Sequence, residues 1–209
     1  MDTLSTLSLM LGSSWASGLN AYATIGFLGL FGRLGWLDLP AGLHPLSHPA
    51  VFGIALVLYV VEFIADKVPA FDTAWDSIQT FIRIPAGAVL AYGAAGNVSP
   101  ELKLAATLVG GSLAFSSHAT KSSLRAMVNT SPEPFSNWFL SLGEDLMVFF
   151  SIWFMFQHPY LMLAIVALFL VFFAWFLPKI FRGFRWMWRK FFGGLPRGPD
   201  KPALPQSSH

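Results

Sequence analysis

Residues 161–177 read LMLAIVALFLVFFAWFL, a run with no charge and no polar group beyond the Trp175 indole, closed by Pro178. A helix needs about 20 mostly apolar residues to cross the hydrocarbon of a bilayer, and this stretch comes close with nothing to oppose it. Working outward, Val51–Ala65 is apolar until Glu62, and 139–156 has the length but carries Glu144 and Asp145. Three weaker stretches, 7–32, 72–95 and 102–126, each join an apolar half to a half rich in Ser, Gly, Asn, Thr or charge. The expectation is an all-α polytopic membrane helix bundle of about six segments, three plain and three compound, some broken or re-entrant.

Composition agrees. Of 209 residues, 55% are hydrophobic and 11% charged, and the mean hydropathy is +0.58. A soluble domain carries roughly a quarter charged residues. This chain cannot cover itself with a solvated surface, so a lipid bilayer is its expected partner. The absence of cysteine excludes disulfides, thiolate metal sites and cysteine nucleophiles. The N-terminal MDTLSTLSLMLGSSWASG lacks the basic region of a signal peptide and reads as the start of the first membrane helix.

Prolines punctuate the chain. Pro40, Pro45 and Pro49, with His44 and His48, mark a loop; Pro69 closes the second segment; GNVSP at 96–100 is a turn; SPEP at 131–134 ends another helix. Although His44 and His48 are four apart, the two prolines between and after them exclude an ordinary helical zinc site. We expect one membrane domain over 1–192, with halves at about 1–97 and 98–178 and a basic interfacial helix at 179–192. The tail 193–209, GGLPRGPDKPALPQSSH, is too polar and Pro-rich to fold.

Orientation follows from Lys and Arg in short loops. Lys179, Arg182, Arg185, Arg189, Lys190, Arg197 and Lys201 form the strongest basic cluster and put the C-terminus in the cytoplasm. Six crossings would put the N-terminus there too, with Lys67, Lys121 and Arg125 in inside loops and Arg33 and Lys103 outside. The expected location is the bacterial inner membrane.

Shifting the chain by 98 positions lays LGSSWASGLNA (11–21) over VGGSLAFSSHA (109–119), with Asn20 on His118; Glu62 then falls near Glu144. Three crossings separate the copies, so the match implies an inverted repeat, a recurring transporter architecture.

Charged groups in hydrocarbon cost at least a few kcal/mol and usually face a cavity or a partner. Ser13, Ser17, Asn20 and Thr24 share one helical face, as do Asp72, Asp76, Gln79 and Arg83 just before Pro85 and Gly87, where we expect the helix to be interrupted. Small residues with hydroxyls also glue helices together, which is the plainer reading of the serines. Glu62 and Asp66 lie one turn apart, and His118, Lys121 and Arg125 form a basic face. Glu144 and Asp145 are adjacent, about 100° apart on a helix, so they cannot both face one partner. A structural ion pair of one of them with His118, Lys121 or Arg125 is the alternative to ion binding. No nucleotide-binding glycine loop, HExxH or GxSxG is present, and nucleic-acid binding has no footprint. No cofactor is implied, and no particular metal.

The stretches ASGLNA, EFIADKVPAFD followed by QTFIRIPAGA, ATKSSLRAMVNTSPEPFSN and the later Glu-Asp pair resemble an uncharacterised bacterial integral-membrane family, domain of unknown function 4126. The resemblance covers about residues 8–175. It implies a multi-spanning helical membrane protein and no activity, substrate or catalytic residue.

The residues themselves favour a small secondary transporter or channel-like permease for a small ion or solute, with proton coupling open. Its site would use Asn20, Glu62, Asp66, Asp72, Asp76, Arg83, His118, Lys121, Arg125, Glu144 and Asp145. The alternatives are an enzyme acting on lipid headgroups, with Asp72, Asp76 or Glu144 as base or metal ligand, and a non-transporting membrane scaffold. A homo-oligomer is among the assemblies the sequence allows.

Overall fold

The computed structural model describes the backbone of residues 2–66, 69–128 and 134–192, and side chains chiefly of 2–66, 78–128 and 138–179. The tail from residue 193, Lys67, and the side chains of Asp72 and Asp76 lie outside the described residues. All regular structure among the described residues is helical: α1 (Thr3–Leu19), α2 (Ala21–Arg33), a 3-10 helix (Ala41–Ser47), α3 (Pro49–Ala65), α4 (Pro69–Ala94), α5 (Pro100–Val128), α6 (Pro134–Gln157) and α7 (Pro159–Phe192). The chain divides into two compact units, Met1–Phe173 and Ala174–His209.

The first compound segment does not run straight. Asn20 is extended (φ −153°, ψ 101°), and its side-chain Oδ1 accepts from the Ala23 amide at 2.9 Å, capping α2. An Asn that satisfies the first amides of the next helix offers the backbone an alternative to continuing the previous one. Contacts with α6 fix the direction of both arms. The Asn20 amide reaches Asp145, Phe27 and Phe31 pack on Phe149, and the Ser8 hydroxyl donates to the Met155 carbonyl. Both α1 and α2 therefore run from Asn20 toward the Gln157 end of α6. They form a hairpin with Asn20 at its tip, in place of the single crossing expected over 7–32. A cleft of about 400 Å³ lined by Thr6, Asp38 and Asn97 confirms that the N-terminal arm and the 33–40 connection share one end of the unit.

Behind the hairpin, α1 lies in the groove between α4 and α5. Ser14 and Ser17 donate to the carbonyls of Gly87 and Arg83, and Ser117 donates to that of Trp15 (2.9, 3.1 and 2.9 Å). This is the hydroxyl glue expected of small polar residues in helix packing. The order of these pairs makes α1 antiparallel to α4 and parallel to α5. The stretches 11–21 and 109–119 thus lie side by side and run the same way, whereas an inverted pair must run oppositely. At the matched position, moreover, α1 breaks at Asn20 while α5 passes His118 unbroken.

Three prolines behave differently from expectation. Pro85 sits inside a continuous α4, and Pro178 inside a continuous α7. Proline forfeits one intrahelical bond and crowds one carbonyl, a local cost that a packed helix can absorb as a kink. Around Pro45 the expected loop is a 3-10 helix, bent 67° from α3. There His44 Nε2 bonds the Leu39 carbonyl at 2.8 Å, and His48 Nδ1 caps α3 at the Ala50 amide. The 96–100 turn is as expected: Gly96 takes φ +71°, a region open to glycine, and Pro100 starts α5.

Among the described residues two helical stretches, Trp138–Gln157 and Pro159–Gly183, are long and apolar enough to cross a membrane, or three spans if the bent pair Ala41–Ser47 and Pro49–Ala65 counts as one. The distribution of side chains is inside out for a water-soluble fold. Phe81 is 82% exposed, Phe139 75% and Val171 70%, while Glu62 and Arg83 are fully buried. In the C-terminal unit the Lys179 ammonium lies over the Trp175 ring, 2.9 Å from its centre.

Candidate functional site: a buried ion-pair network

Nine of the eleven sequence-selected residues converge in the N-terminal unit, namely Asn20, Glu62, Asp66, Arg83, His118, Lys121, Arg125, Glu144 and Asp145. Helical spacing explains why. Glu62 and Asp66 stand one turn apart at the end of α3, and His118, Lys121 and Arg125 form one face of α5. Arg83 comes from α4, and Glu144 and Asp145 from α6. Lys121 and Arg125 were expected in an inside loop. Both are instead on α5 and buried, because the carboxylates of α3 and α6 compensate their charge there.

Lys121 is the hub. Its Nζ lies 3.0 Å from Glu144, 3.7 Å from Asp66 and 3.8 Å from Glu62. Arg125 bridges Asp66 at 2.8 Å and, through Nε, Glu144 at 3.2 Å. Arg83 pairs with Glu62. Each of these side chains is buried, where a pair stands only if its remaining donors and acceptors also find partners.

The hairpin supplies some of those partners. With α1 stopped at Asn20, its last carbonyls have no helical amide to bond, and the helix dipole makes that end negative. The Leu19 carbonyl accepts from Lys121 Nζ at 2.9 Å, and the Gly18 carbonyl from Arg83 Nη1 at 3.4 Å. The tip of the hairpin is thus a ligand of the charge network. Half-helix ends that supply backbone dipoles are expected from the sequence at its Gly and Pro breaks; the break that frees these carbonyls falls instead at Asn20. Sequence reasoning missed two side chains: Thr80, one turn before Arg83, and Tyr59, one turn before Glu62 and beside Asp145.

His118 is neutral here. A guanidinium can only donate, so the 2.9 Å contact from Arg83 Nη1 makes His118 Nδ1 an acceptor and leaves the proton on Nε2, which donates to Thr80 Oγ1 at 2.7 Å. Among the described side chains the network then holds four carboxylates, Glu62, Asp66, Glu144 and Asp145, against three cations, Arg83, Lys121 and Arg125. Glu144 takes the structural pairing anticipated as an alternative. Asp145, rotated away from it, takes the Asn20 amide at 3.5 Å and makes no ion pair among the described residues. Glu62 Oε2, Asp66 Oδ1 and Asp145 Oδ2 accept no hydrogen bond, nor does the fully buried Gln79 amide make one, although the Tyr22 hydroxyl is near it. No three His, Asp or Glu side chains among the described residues are disposed to hold a metal ion.

A family model described as a domain of unknown function, DUF4126, matches residues 7–179. No curated protein matches the chain. No solved structure matches it either.

Proposed function

The chain belongs to the DUF4126 family, and on the geometry of its buried network we propose that it is a small membrane permease gated at the hairpin tip. In this reading the solute is a small ion or polar molecule, and α3 to α7 each cross the membrane once while α1 and α2 enter and return. In the same reading the tail, with its basic cluster, lies on the cytoplasmic side of a bacterial inner membrane, as expected when Lys and Arg gather on the inside.

One observation carries the reading: a helix hairpin whose broken end binds the cations of a buried ion-pair network. Interrupted helices that present carbonyl ends to ions recur where solutes cross membranes, because their backbone is tolerated only beside protein or a water-filled path. Ion pairs between such a tip and its surroundings can exchange partners with little change in their number, which suits a gate. Headgroup chemistry is less well supported, since Glu144 is held between Lys121 and Arg125 and not presented to lipid.

A scaffold reading keeps one observation in its favour, the near-complete pairing of Glu144, Lys121 and Arg125. Solute flux separates the two. Purified protein in proteoliposomes would be screened with metal cations and small anions, with and without a pH gradient, beside Glu144→Gln and Arg83→Gln. The permease reading expects flux that both substitutions abolish while the fold persists. A broad screen without flux, or flux indifferent to both changes, leaves the scaffold.

A further inference from the structure

Resting on the permease reading, we propose that Asp145 is the binding site of a coupling proton and that Asn20 reports its occupancy to the hairpin tip. The groups facing Asp145 are Asn20 from the hairpin, Tyr59, Glu62 and Asp66 from α3, Lys121 from α5, and Glu144 beside it. Lys121 is engaged by the other three carboxylates and the Leu19 carbonyl. Asp145 therefore differs from Glu62, Asp66 and Glu144: each of those has a cation within ion-pair distance, and Asp145 has none among the described residues.

Second, among the described side chains the network holds one more carboxylate than cations, a surplus that a positive partner would balance. A metal is poorly served, because among the described residues no three acidic or imidazole side chains are disposed around one point. A proton needs only one oxygen. Asp145 Oδ2 is buried and accepts no hydrogen bond from a described residue, but the Asp145 side chain as a whole is part-exposed while its three fellow carboxylates are buried, so of the four it stands nearest to an entry from outside the network. The fully buried Glu62 Oε2, facing the same cluster, also lacks a partner, so the region is not a closed set of satisfied pairs.

Third, Asn20 couples the site to the fold. Its Oδ1 holds the first turn of α2 and its Nδ2 donates to Asp145 Oδ1. A carboxylate accepts such a bond more strongly than a carboxylic acid. The proton arrives from hydronium on one side of the membrane, forms an O–H bond at Oδ2, weakens the hold on Asn20, and leaves to water on the other side. No bond to carbon changes and no co-reactant is needed.

Infrared difference spectra of the full-length protein in vesicles, between about pH 5 and about pH 8, test the site without any solute. Wild type should gain a protonated-carboxyl band on acidification that Asp145→Asn lacks and Asp145→Glu restores in shifted form. An Asp145→Asn spectrum identical to wild type overturns the proposal. Should that variant fail to fold, hydrogen exchange of the amides at 19–24 decides. Exchange corrected for its intrinsic rate should rise at acid pH in wild type and lose that dependence in Asn20→Ala; pH-independent protection in wild type overturns the coupling. A proton band without flux in any screen would sink the permease reading alone, whereas flux without the band would sink the proton site alone.

Discussion

The Lys121 ammonium donates to the Leu19 carbonyl at 2.9 Å while standing 3.0 Å from Glu144, so one side chain joins the end of α1 to the middle of α6. Two kinds of negative charge meet there, the partial charge of a helix C-terminus and a full carboxylate. The cation is buried, and so is each acid it compensates. The hairpin tip and the network are therefore one structure, and neither is expected to persist without the other.

Replacing Lys121 by Met tests that dependence. The stem can still pack, but Glu62, Asp66 and Glu144 lose a shared cation and the Leu19 carbonyl loses its donor. Breaking a buried pair from one side typically costs about 3–5 kcal/mol. Unfolding of the purified protein in detergent should show a loss of that order. A change below about 1 kcal/mol, the size expected of an exposed pair, would mean that Lys121 is hydrated.

Close approach of α1 to α5 makes a second prediction. A Cβ on Gly18 would lie 1.8 Å from Ser117 Oγ and 2.3 Å from the Ala114 carbonyl oxygen. A hydroxyl can rotate away, but the backbone of α5 cannot. Gly18→Ala should cost about 1–3 kcal/mol by overpacking, and Ser117→Ala in the same chain should relieve only part of it. Gly143 on α6 is the control, because nothing lies within 4 Å of its would-be Cβ. There Ala should stabilise the helix by roughly 0.5–1 kcal/mol. Thermal unfolding of the three variants orders them.

The side chains on the outer face make a third. Val171, 70% exposed, lies near the middle of the span Pro159–Gly183. A charged residue at the centre of a membrane helix costs about 2.5–3.5 kcal/mol of insertion free energy, whereas in water the same change is nearly neutral. Val171→Lys should reduce the membrane-inserted fraction in a translocation assay. Unchanged insertion would argue that this face of α7 meets protein or water.

Charge was the legible part of the site. Glu62, Arg83, Lys121, Arg125 and Glu144 could be picked out because an ionisable group in an apolar run must find a partner, and α3, α4, α5 and α6 bring those partners together. Length and hydropathy likewise announced the two plain spans at 138–183. Direction was hidden. Nothing in GLNA says whether the chain goes on or turns back at Asn20; that depends on which faces α4, α5 and α6 offer to the two arms. The same holds for the resemblance between 11–21 and 109–119. Small residues recur wherever helices pack closely, so the match marks two packed segments that touch, not two inverted copies. Pro85 and Pro178 misled for a related reason, because a local penalty of a few kcal/mol yields to packing along the rest of a long helix.

Direction can be measured. Because the sequence contains no cysteine, single cysteines can be labelled without background. Thr6, Asp38 and Asn97 line one cleft, so residues 2, 38 and 97 should all lie on one side of the membrane. On the permease reading, with the basic C-terminal cluster in the cytoplasm, residue 208 is expected on the other. A membrane-impermeant maleimide added outside intact spheroplasts should label Asp2→Cys, Asp38→Cys and Asn97→Cys, and should spare Ser208→Cys until the membrane is opened. A straight crossing over 7–32 predicts a different grouping, with Asp2→Cys protected alongside Ser208→Cys. Only position 2 distinguishes the two topologies, because both place 38 with 97. Labelling at position 2 from outside therefore fixes the hairpin as re-entrant, and protection there would show that α1 and α2 cross the membrane in series.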